Sequence, residues 1–398
     1  MERQLRVLHL ALLRNESALA WHALTMGRAL QERGHSCWLG GLAESPILEA
    51  AQRQGIPVPP ELKLSELRPW NWTKTVARLR QFTSRQRIDA LVVHTGLGHL
   101  EAHLARRGMN TPLVRVRCEA RPPRADLPHR WLYQRGCDRI AVSGAYMLER
   151  HLAPIGIDRR RVCVIPPAVD LDDTAWRPEG GRRQARLDIR QRFQISPGMP
   201  LIGIIGRLSP IKGHRTLIEA AGLLAARGRD FRLLVVGEEK EITVEELRAL
   251  GSQLGIAERI IFAGFVEDPL LYASALDLGV IPSLGSEALS RSALEFMSVG
   301  VPVVGTLVGV LPEVIDDDDL LVPPGRPEPL AEAMNRLVDD LSWSGRLGER
   351  AFKRVQEHFT LEHMGERIEE LLRELIAQRR KPDAQTKAGR NEAAAAAP

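Results

Sequence analysis

The sequence of 398 residues contains few cysteines and no long apolar run, and each absence argues against a class of protein. Its four cysteines (Cys37, Cys118, Cys137 and Cys163) are scattered without a C-x-x-C spacing, so we expect reduced thiols and no metal site built on them. There is no run of about 18 apolar residues, so we expect no membrane-spanning helix. Residues 1–13 lack the uninterrupted apolar core of a signal peptide, and we interpret them as a first β-strand.

The patterns of nicotinamide enzymes and metalloenzymes are also missing. No G-x-G-x-x-G follows the first strand-like run, which gives little support to a nicotinamide cofactor. Asp170-Leu171-Asp172 has the form of a metal-binding D-x-D, and residues 316–319 are four aspartates in a row. The first group lies in a linker and the second in a solvated turn before a strand. Because neither offers converging ligands, we expect no metal site.

Basic residues are concentrated in two segments of this moderately basic chain, whose formal net charge is +5. Residues 68–87 carry Arg68, Lys74, Arg78, Arg80, Arg85 and Arg87 without an acid, beside Trp70 and Trp72. Residues 115–139 carry seven arginines against three acids. Basic helices flanked by tryptophan suit an anionic membrane surface, although a solvated amphipathic helix whose tryptophans pack on the domain explains them equally well. We expect no nucleic-acid partner because no nucleic-acid-binding module is present.

Strand-like apolar runs alternate with helical patterns along the chain and predict an α/β fold with helix-covered parallel sheets. The first series has strands at 5–13, 36–39, 90–94, 113–117, 139–143 and 162–165, with helices at 19–33, 46–54, 73–86 and 146–154. The second series has strands at 202–206, 232–236, 260–263, 278–281, 301–305 and 320–322. Residues 166–198 are interpreted as a linker plus the first helix of a second domain, and 361–375 as an amphipathic helix. The charged, then alanine-rich segment 379–398 is expected to be disordered.

The segment 278–304 says most about function. A strand ending at Ile281 leads into a turn with Glu287, and the helix that follows contains Glu295 before the next strand begins at Val301. In parallel sheets, ligands bind at the carboxyl ends of strands, and a helix N-terminus at about residues 287–290 would offer free amides to a diphosphate. The Glu295 carboxylate can accept hydrogen bonds from a vicinal diol such as a ribose. The alternative is a helix-dipole charge plus a solvated glutamate.

A second strand–turn–helix pattern carries two basic residues. The strand within 200–208 runs into Gly206 and Arg207, and Lys212 precedes a helix that begins at His214. Arginine offers a planar fork and lysine a point charge, which together suit a diphosphate. Two basic residues in a loop are usually only solvated. Their place at a strand's carboxyl end, ahead of the glutamate pair, favours a shared site.

These motifs together resemble the C-terminal domain of glycosyltransferase family 4. The resemblance is carried by Gly206-Arg207-Leu208, Lys212-Gly213, Pro282-Ser283, Glu287 and Glu295 with seven residues between them, Gly300-Val301-Pro302-Val303-Val304 and Pro312-Glu313. Weaker matches in the N-terminal half include Arg33-Gly34-His35, residues 112–117 and Arg130-Trp131-Leu132-Tyr133. The N-terminal groups are most similar to bacterial members that build lipopolysaccharide and other envelope glycans.

The resemblance implies the GT-B fold, two Rossmann-like domains facing across a cleft. It places an acceptor-side domain at 1–170, a nucleotide-sugar domain at 171–358, a helix crossing back to the first domain at 359–378 and a tail at 379–398. It implies a retaining, metal-independent hexosyltransferase whose donor is a nucleotide-diphosphate sugar, without a separate cofactor. The implied acceptor is an envelope glycan or lipid-linked glycan, and the implied location is the cytoplasm, at the inner face of the cytoplasmic membrane.

Site roles follow from the same resemblance. Arg207, Lys212 and Glu287 are expected to be catalytic, and Gly206, Leu289, Ser290 and Glu295 to bind the donor. Two departures concern the N-terminal domain. The first loop, 13–18, lacks the family's glycine pair and offers Asn15, while Cys118 stands where similar members carry a sugar-contacting histidine. His94, at the end of a neighbouring strand, is a candidate replacement, although a lone histidine there is more often structural.

One further departure and two alternative functions remain. Val308-Gly309 replaces the usual glycine pair before Pro312-Glu313, which we interpret as a modest loop change. A GT-B nucleotide-sugar epimerase would share the architecture. A nucleotide-sugar-binding protein without turnover would account for the altered first loop and Cys118.

Overall fold

The computed structural model describes residues 3–15, 17–64, 72–171, 181–285 and 287–380. The chain forms two compact units. Unit 1 comprises residues 1–167 and takes up the chain again at Leu361, whereas unit 2 is the continuous segment Ala168–Thr360. Each unit is an α/β fold around its own parallel sheet, as predicted.

The strands of unit 1 are β1 (Arg6–Ala11), β2 (Ser36–Leu42), β3 (Lys63–Leu64), β4 (Ala90–Val93), β5 (Leu113–Arg117), β6 (Arg139–Val142) and β7 (Val162–Val164). Its helices are α1 (Ala18–Glu32), α2 (Pro46–Arg53), α3 (Trp72–Arg85), α4 (Gly96–Ala105), α5 (Leu127–Arg135) and α6 (Ala145–Met147), and later α15 (Leu361–Arg380). Six of the seven strands and the first three helices match the sequence prediction within a few residues. The helix predicted at 146–154 is α6 followed by irregular helical turns to Ile155, because Pro154 and Gly156 end regular hydrogen bonding.

The sheet of unit 1 is parallel, with the order β3-β2-β1-β4-β5-β6-β7. Strands β4 and β5 at its centre are completely buried, as their apolar runs require. Connections from β3 to β4, β4 to β5 and β5 to β6 all cross the sheet in the same direction. Because such crossovers are right-handed, α3, α4 and α5 cover the same face of the sheet.

Helix α15 belongs to unit 1, where it packs against α1. Glu369 of α15 accepts hydrogen bonds from Arg33, at the end of α1, and from Arg373, whose Nε lies 2.7 Å away. Near the end of α15, Nη2 of Arg379 forms an ion pair with Oδ1 of Asp138 at 2.6 Å. The helix continues through Arg380, two residues into the segment expected to be disordered.

Unit 2 repeats the alternation. Its strands are β8 (Leu201–Ile205), β9 (Arg232–Val236), β10 (Ile260–Gly264), β11 (Leu278–Ile281), β12 (Val303–Thr306) and β13 (Leu321–Val322). Its helices are α7 (Gly181–Arg192), α8 (His214–Ala226), α9 (Val244–Gln253), α10 (Pro269–Ser274), α11 (Arg291–Ser298), α12 (Leu311–Ile315), α13 (Pro327–Asp339) and α14 (Leu341–His358). The parallel sheet has the order β10-β9-β8-β11-β12-β13. The chain moves outward from β8 in both directions, so β8 and β11 are the neighbours at which the strand order reverses.

Candidate functional site

The reversal of strand order in unit 2 positions the candidate site. Loops that leave neighbouring strands in opposite directions open a crevice at the carboxyl edge of a parallel sheet. Here the two loops are 206–213, after β8, and 282–290, after β11. They carry every residue that the sequence predicted for the donor site in this unit except Glu295.

Lys212 and Glu287 meet at this edge. The Nζ of Lys212 lies 2.6 Å from Oε1 of Glu287, and Oγ of Ser283 donates to the same oxygen at 2.6 Å. The Glu287 side chain is 2% exposed, whereas 24% of the Lys212 side chain remains exposed. A buried carboxylate needs such partners to stay charged, and the lysine keeps a solvent-facing side that can receive an anion.

Glycines at two positions allow the loops to approach. Gly213 has φ +74°, and a Cβ there would lie 1.9 Å from the carbonyl oxygen of Pro282. Gly309 has φ +59°, and a Cβ there would lie 2.0 Å from the carbonyl oxygen of Glu287, which also accepts a hydrogen bond from the Val310 amide at 2.8 Å. Only glycine fits both the left-handed backbone and the contact. Of the glycine pair usual in the family, this chain therefore keeps the one that holds Glu287.

Arg207 lies two residues after the end of β8, on the loop that also carries Lys212. The preceding residue, Gly206, is fixed by its amide, which donates to the carbonyl of Val236 at 2.8 Å. The Arg207 side chain is exposed, and within the described parts of the chain it makes no hydrogen bond or ion pair. Its guanidinium is therefore available to a ligand, and its catalytic role stays a prediction.

The helix after Glu287 begins later than predicted. Residues 287–290 form an irregular turn, and α11 begins at Arg291 with Ser290 as its N-cap. Ser290 has φ +44° and ψ +50°, a left-handed conformation that interrupts a helix and is uncommon for serine. Its buried Oγ has no hydrogen-bond partner among the described residues. Leu289 is also buried. Because α11 begins only at Arg291, the expectation that the amides at 287–290 belong to its N-terminus is wrong, and they lie in the turn instead.

Glu295 lies on the first turns of α11 and is buried. Burial raises the pKa of its carboxyl group, and Arg291, whose Nε lies 2.7 Å from Oε1, opposes that shift. Asp268, in the loop before α10, raises the pKa further and therefore lies nearby. The carboxylate thus has one partner among the described residues and capacity to accept more.

Sequence reasoning missed Phe265, which follows β10 at the same carboxyl edge. Its side chain is 70% exposed although phenylalanine is usually buried. Phe265 is three residues before Asp268, the group that acts on Glu295. An aromatic after a strand-like run could have been noticed, but its exposure is visible only in the structure.

The candidate residues of unit 1 lie around the carboxyl ends of its strands. His94, after β4, is buried, and its Nε2 lies 3.0 Å from Nδ1 of His9 on β1. The ring of His22, on α1, contacts it edge-on at 6.5 Å between centroids. Burial lowers the pKa of His9 to about 3 and of His22 to about 4, and it places that of His94 well below its ordinary value, so the three rings are neutral.

Cys118 and Asn15 occupy different environments. Cys118 is buried after β5, and burial raises the pKa of its thiol to about 12, so it is not a nucleophile at neutral pH. Asn15 is exposed before α1, whose N-cap Ser17 accepts a hydrogen bond from the Ala20 amide at 3.2 Å. Asn15 is therefore the more accessible of the two.

Known families match both units. The profile described as "Glycosyltransferase Family 4" matches residues 19–173, and that described as "Glycosyl transferases group 1" matches residues 199–340. The chain belongs to glycosyltransferase family 4. This agrees with the motifs around Glu287 and Lys212.

Relatives of this family 4 chain match about half of it. Over 193 residues it is 34% identical to the 2-deoxystreptamine glucosyltransferase of Streptomyces kanamyceticus, covering 47% of this chain and 48% of that protein. Over 223 residues it is 33% identical to a D-inositol 3-phosphate glycosyltransferase of Nocardia farcinica, covering 54% of this chain and 48% of that protein. The chain thus spans about half the length of the curated relatives that it matches.

A solved structure shares the fold over nearly the whole family 4 chain. The crystal structure of Anabaena Alr3699/HepE in complex with UDP superposes with a TM-score of 0.79 at 20% identity, covering 93% of this chain and 100% of that one. At this identity the likeness establishes the GT-B fold.

Aspartates of the run at 316–319, considered above as possible metal ligands, form ion pairs with arginines. Asp316 pairs with Arg354 at 2.8 Å and Asp317 with Arg350 at 3.5 Å. No group of three or more histidine, cysteine or acidic side chains within the described ranges is arranged to hold a metal ion. Asp172, the second acid of the D-x-D, lies outside those ranges.

The surface predicted to meet a membrane is described in part. Trp70 and Arg68 lie outside the described residues. The Trp72 indole is half-buried, so this tryptophan packs partly on the unit; burial raises the pKa of Glu101, on α4, and Trp72 opposes that shift. Lys74, Arg78 and Arg85 are exposed along one side of α3. No helix among the described residues has the length and apolar character needed to span a bilayer.

Proposed function

We propose that this family 4 chain transfers a sugar from a nucleotide-diphosphate donor to an acceptor hydroxyl group. The observation that carries the proposal is the group of Lys212, Glu287 and Ser283 at the point where the strand order reverses, with the unpaired Arg207 beside it. A buried anion held by an accessible cation, next to a free guanidinium, suits the departure of a diphosphate from a sugar.

The chemistry requires stabilisation of a leaving group. As the bond between the anomeric carbon and the diphosphate oxygen breaks, negative charge develops on that oxygen. Arg207 and Lys212 compensate the charge with donors already in place, which makes a metal-independent reaction feasible. Turn amides at Leu289 and Ser290, and the unpartnered Ser290 hydroxyl, add neutral donors to the diphosphate.

Glu287 fits a positioning role better than a nucleophilic one. Its Oε1 already accepts from Lys212 and Ser283, and its backbone carbonyl is fixed by Val310. A carboxylate so held can orient sugar hydroxyl groups, but attack would require these contacts to break. The family resemblance implies retention, and we propose that the acceptor hydroxyl attacks from the face that the diphosphate leaves, its proton passing to the departing phosphate oxygen.

The nucleoside end of the donor lies along α11 in this proposal. Glu295 would accept from the ribose hydroxyl groups, and Phe265, which is exposed after β10 at the same carboxyl edge, would stack against the base. The fold shared with a UDP complex supports a UDP-sugar as the first donor to test.

The proposed acceptor is an envelope glycan or a lipid-linked glycan, reached at an anionic membrane surface. Its support is the exposed basic side of α3. Because relatives are named for 2-deoxystreptamine and D-inositol 3-phosphate, small polyols should be tested as acceptors alongside glycans.

Thermal shifts with UDP-, GDP- and ADP-sugars identify the donor, and release of free nucleoside diphosphate is then measured with and without acceptors. Transfer requires release that depends on the acceptor, with the anomeric configuration of the product read by NMR. Arg207→Ala should lower release, whereas Arg215→Ala, at an exposed arginine on α8, should not. Epimerised donor without release would favour an epimerase, and donor binding without turnover would favour a binding protein.

A further inference from the structure

Two large apolar side chains project into solvent from α5. Leu127 is 79% exposed and Trp131 is 48% exposed, although residues of these types usually lie inside a domain. They are four positions apart on a nine-residue helix, which places them on one side of it. This exposed pair is called the α5 patch below.

The opposite side of α5 is well anchored. The ring of Tyr133 is buried and meets that of His99, on α4, at 5.6 Å between centroids. Carbonyl groups at the end of the helix accept hydrogen bonds from Arg161 and Arg106, and Nδ1 of His103 lies 3.0 Å from the carbonyl oxygen of Gly136. A helix held so firmly presents the α5 patch as part of the folded structure.

Positive charge surrounds the patch. The exposed arginines nearest in sequence are Arg121, Arg124, Arg130 and Arg135. At about 100° per residue, Arg130 and Arg135 share the side of the helix that carries Leu127 and Trp131. The one acid of the segment, Asp126, is the N-cap and accepts from the His129 amide at 3.0 Å. The outer side of α5 is therefore apolar at its centre and cationic around it.

The neighbouring helix extends this charge. Since α3 and α5 cover the same face of the sheet, the exposed side of α3 with Lys74, Arg78 and Arg85 faces the same side of unit 1. Helix α3 itself carries no exposed aromatic side chain among the described residues, because Trp72 is half-buried and Phe82 is buried. The two helices therefore differ: α3 offers charge, and α5 offers charge with apolar side chains.

We propose that the α5 patch inserts into the interface of a membrane that contains anionic phospholipid. Leucine and tryptophan side chains enter the headgroup region, and the arginines pair with lipid phosphates. A second copy of this chain is a poorer occupant, since a twofold contact at α5 would bring like charges together. The inference deepens the proposed function by naming the surface that reaches a lipid-linked acceptor, and it rests on that function only for its biological use.

Vesicle sedimentation without donor or acceptor tests the proposal. The wild-type chain should bind vesicles of phosphatidylcholine with about 30% phosphatidylglycerol far better than phosphatidylcholine alone, and added salt should weaken binding. The double variant Leu127→Ser/Trp131→Ala should lose roughly tenfold or more in partition coefficient. Leu187→Ser is the matched control, because this leucine is 54% exposed on the arginine-rich α7 of unit 2. Brominated lipid should quench wild-type tryptophan fluorescence more than that of Trp131→Phe.

Wild-type binding by the double variant, equal quenching in Trp131→Phe, or absence of wild-type binding would each overturn the proposal. Concentration-dependent dimerisation that Leu127→Ser abolishes, without vesicle binding, would assign the patch to a second copy instead. Thermal melting confirms that each variant is folded, and Leu127→Ser alone leaves the ring contact of Trp131 with His103 intact. The donor thermal shift should be unchanged in all variants, so a failed donor assay with retained vesicle binding would refute only the proposed function.

Discussion

Replacing Lys212 by methionine tests whether the ion pair with Glu287 serves stability, catalysis or both. The substitution leaves a carboxylate that is 2% exposed with Ser283 as its remaining side-chain partner. A hydrogen bond to a charged group contributes about 1.5–3 kcal/mol, and partial solvent access to Lys212 favours the lower half of that range. Since 1 kcal/mol shifts the Tm of a domain of this size by about 2–4 °C, we expect a decrease of about 3–8 °C.

The catalytic loss should be larger and separable. Removing one preorganised donor from the leaving group costs about 2.7–4 kcal/mol of transition-state stabilisation, or roughly 10²–10³ in kcat. The double variant Lys212→Met/Glu287→Gln has no unpaired charge, and the glutamine still accepts from Ser283. It should recover most of the lost Tm but none of the lost rate.

Tm and the rate of nucleoside diphosphate release, measured for the wild type, both single variants and the double variant, decide the matter. Arg215→Met controls for the loss of a nearby positive charge. A rate that recovers together with Tm in the double variant would refute the catalytic role of Lys212. A rate for Lys212→Met within threefold of the wild-type rate would refute it too.

Three more outcomes are expected. Glu295→Gln should weaken nucleoside diphosphate binding by about 1.5–3 kcal/mol, and calorimetry should show that the variant no longer discriminates against a 2′-deoxy donor. Gly213→Ala should destabilise unit 2 by about 2–4 kcal/mol in urea unfolding, whereas Gly228→Ala, also at positive φ but with no atom within 4 Å of the added Cβ, should cost about 1 kcal/mol. His9 and His22 are neutral in the folded protein, but in the unfolded chain they take up protons below about pH 6.5. As the pH is lowered from 6.5 to 4, the free energy of unfolding should therefore fall by about 1.4 kcal/mol per pH unit for each histidine. No decrease over that range would contradict their buried, neutral state.

That Lys212 and Glu287 lie at the same edge of the sheet was predictable, because the apolar runs show where each strand ends and parallel strands end at one edge. Apolar runs fixed β8 and β11, and side chains just after such strands collect at one edge. The start of α11 was not predictable in the same way. Ser290 adopts a left-handed conformation that serine rarely takes, and the neighbouring loop at Gly309 imposes the geometry of that turn.

Which side of a helix is exposed to solvent was also not predictable from the sequence. Leu127 and Trp131 have the spacing of a buried helix side, and only the anchoring of Tyr133 shows that the other side faces inward. Trp72 shows the reverse, since a tryptophan beside arginines suggested a membrane surface but its side chain is half-buried on the unit. Side-chain pattern predicts that a helix has two sides, and the rest of the fold decides which one is covered.

The return of α15 to unit 1 has a consequence for folding during synthesis. The partner side of α1, including Arg33, remains uncovered until Glu369 and its helix leave the ribosome, after all of unit 2 has been made. At ribosomal speeds of about 5–20 residues per second, that delay is on the order of 10–40 s. Unit 2 is continuous and can complete its core within this interval, so the N-terminal unit finishes folding second. A released chain truncated after Thr360 should accordingly resist protease in unit 2 and remain sensitive at α1.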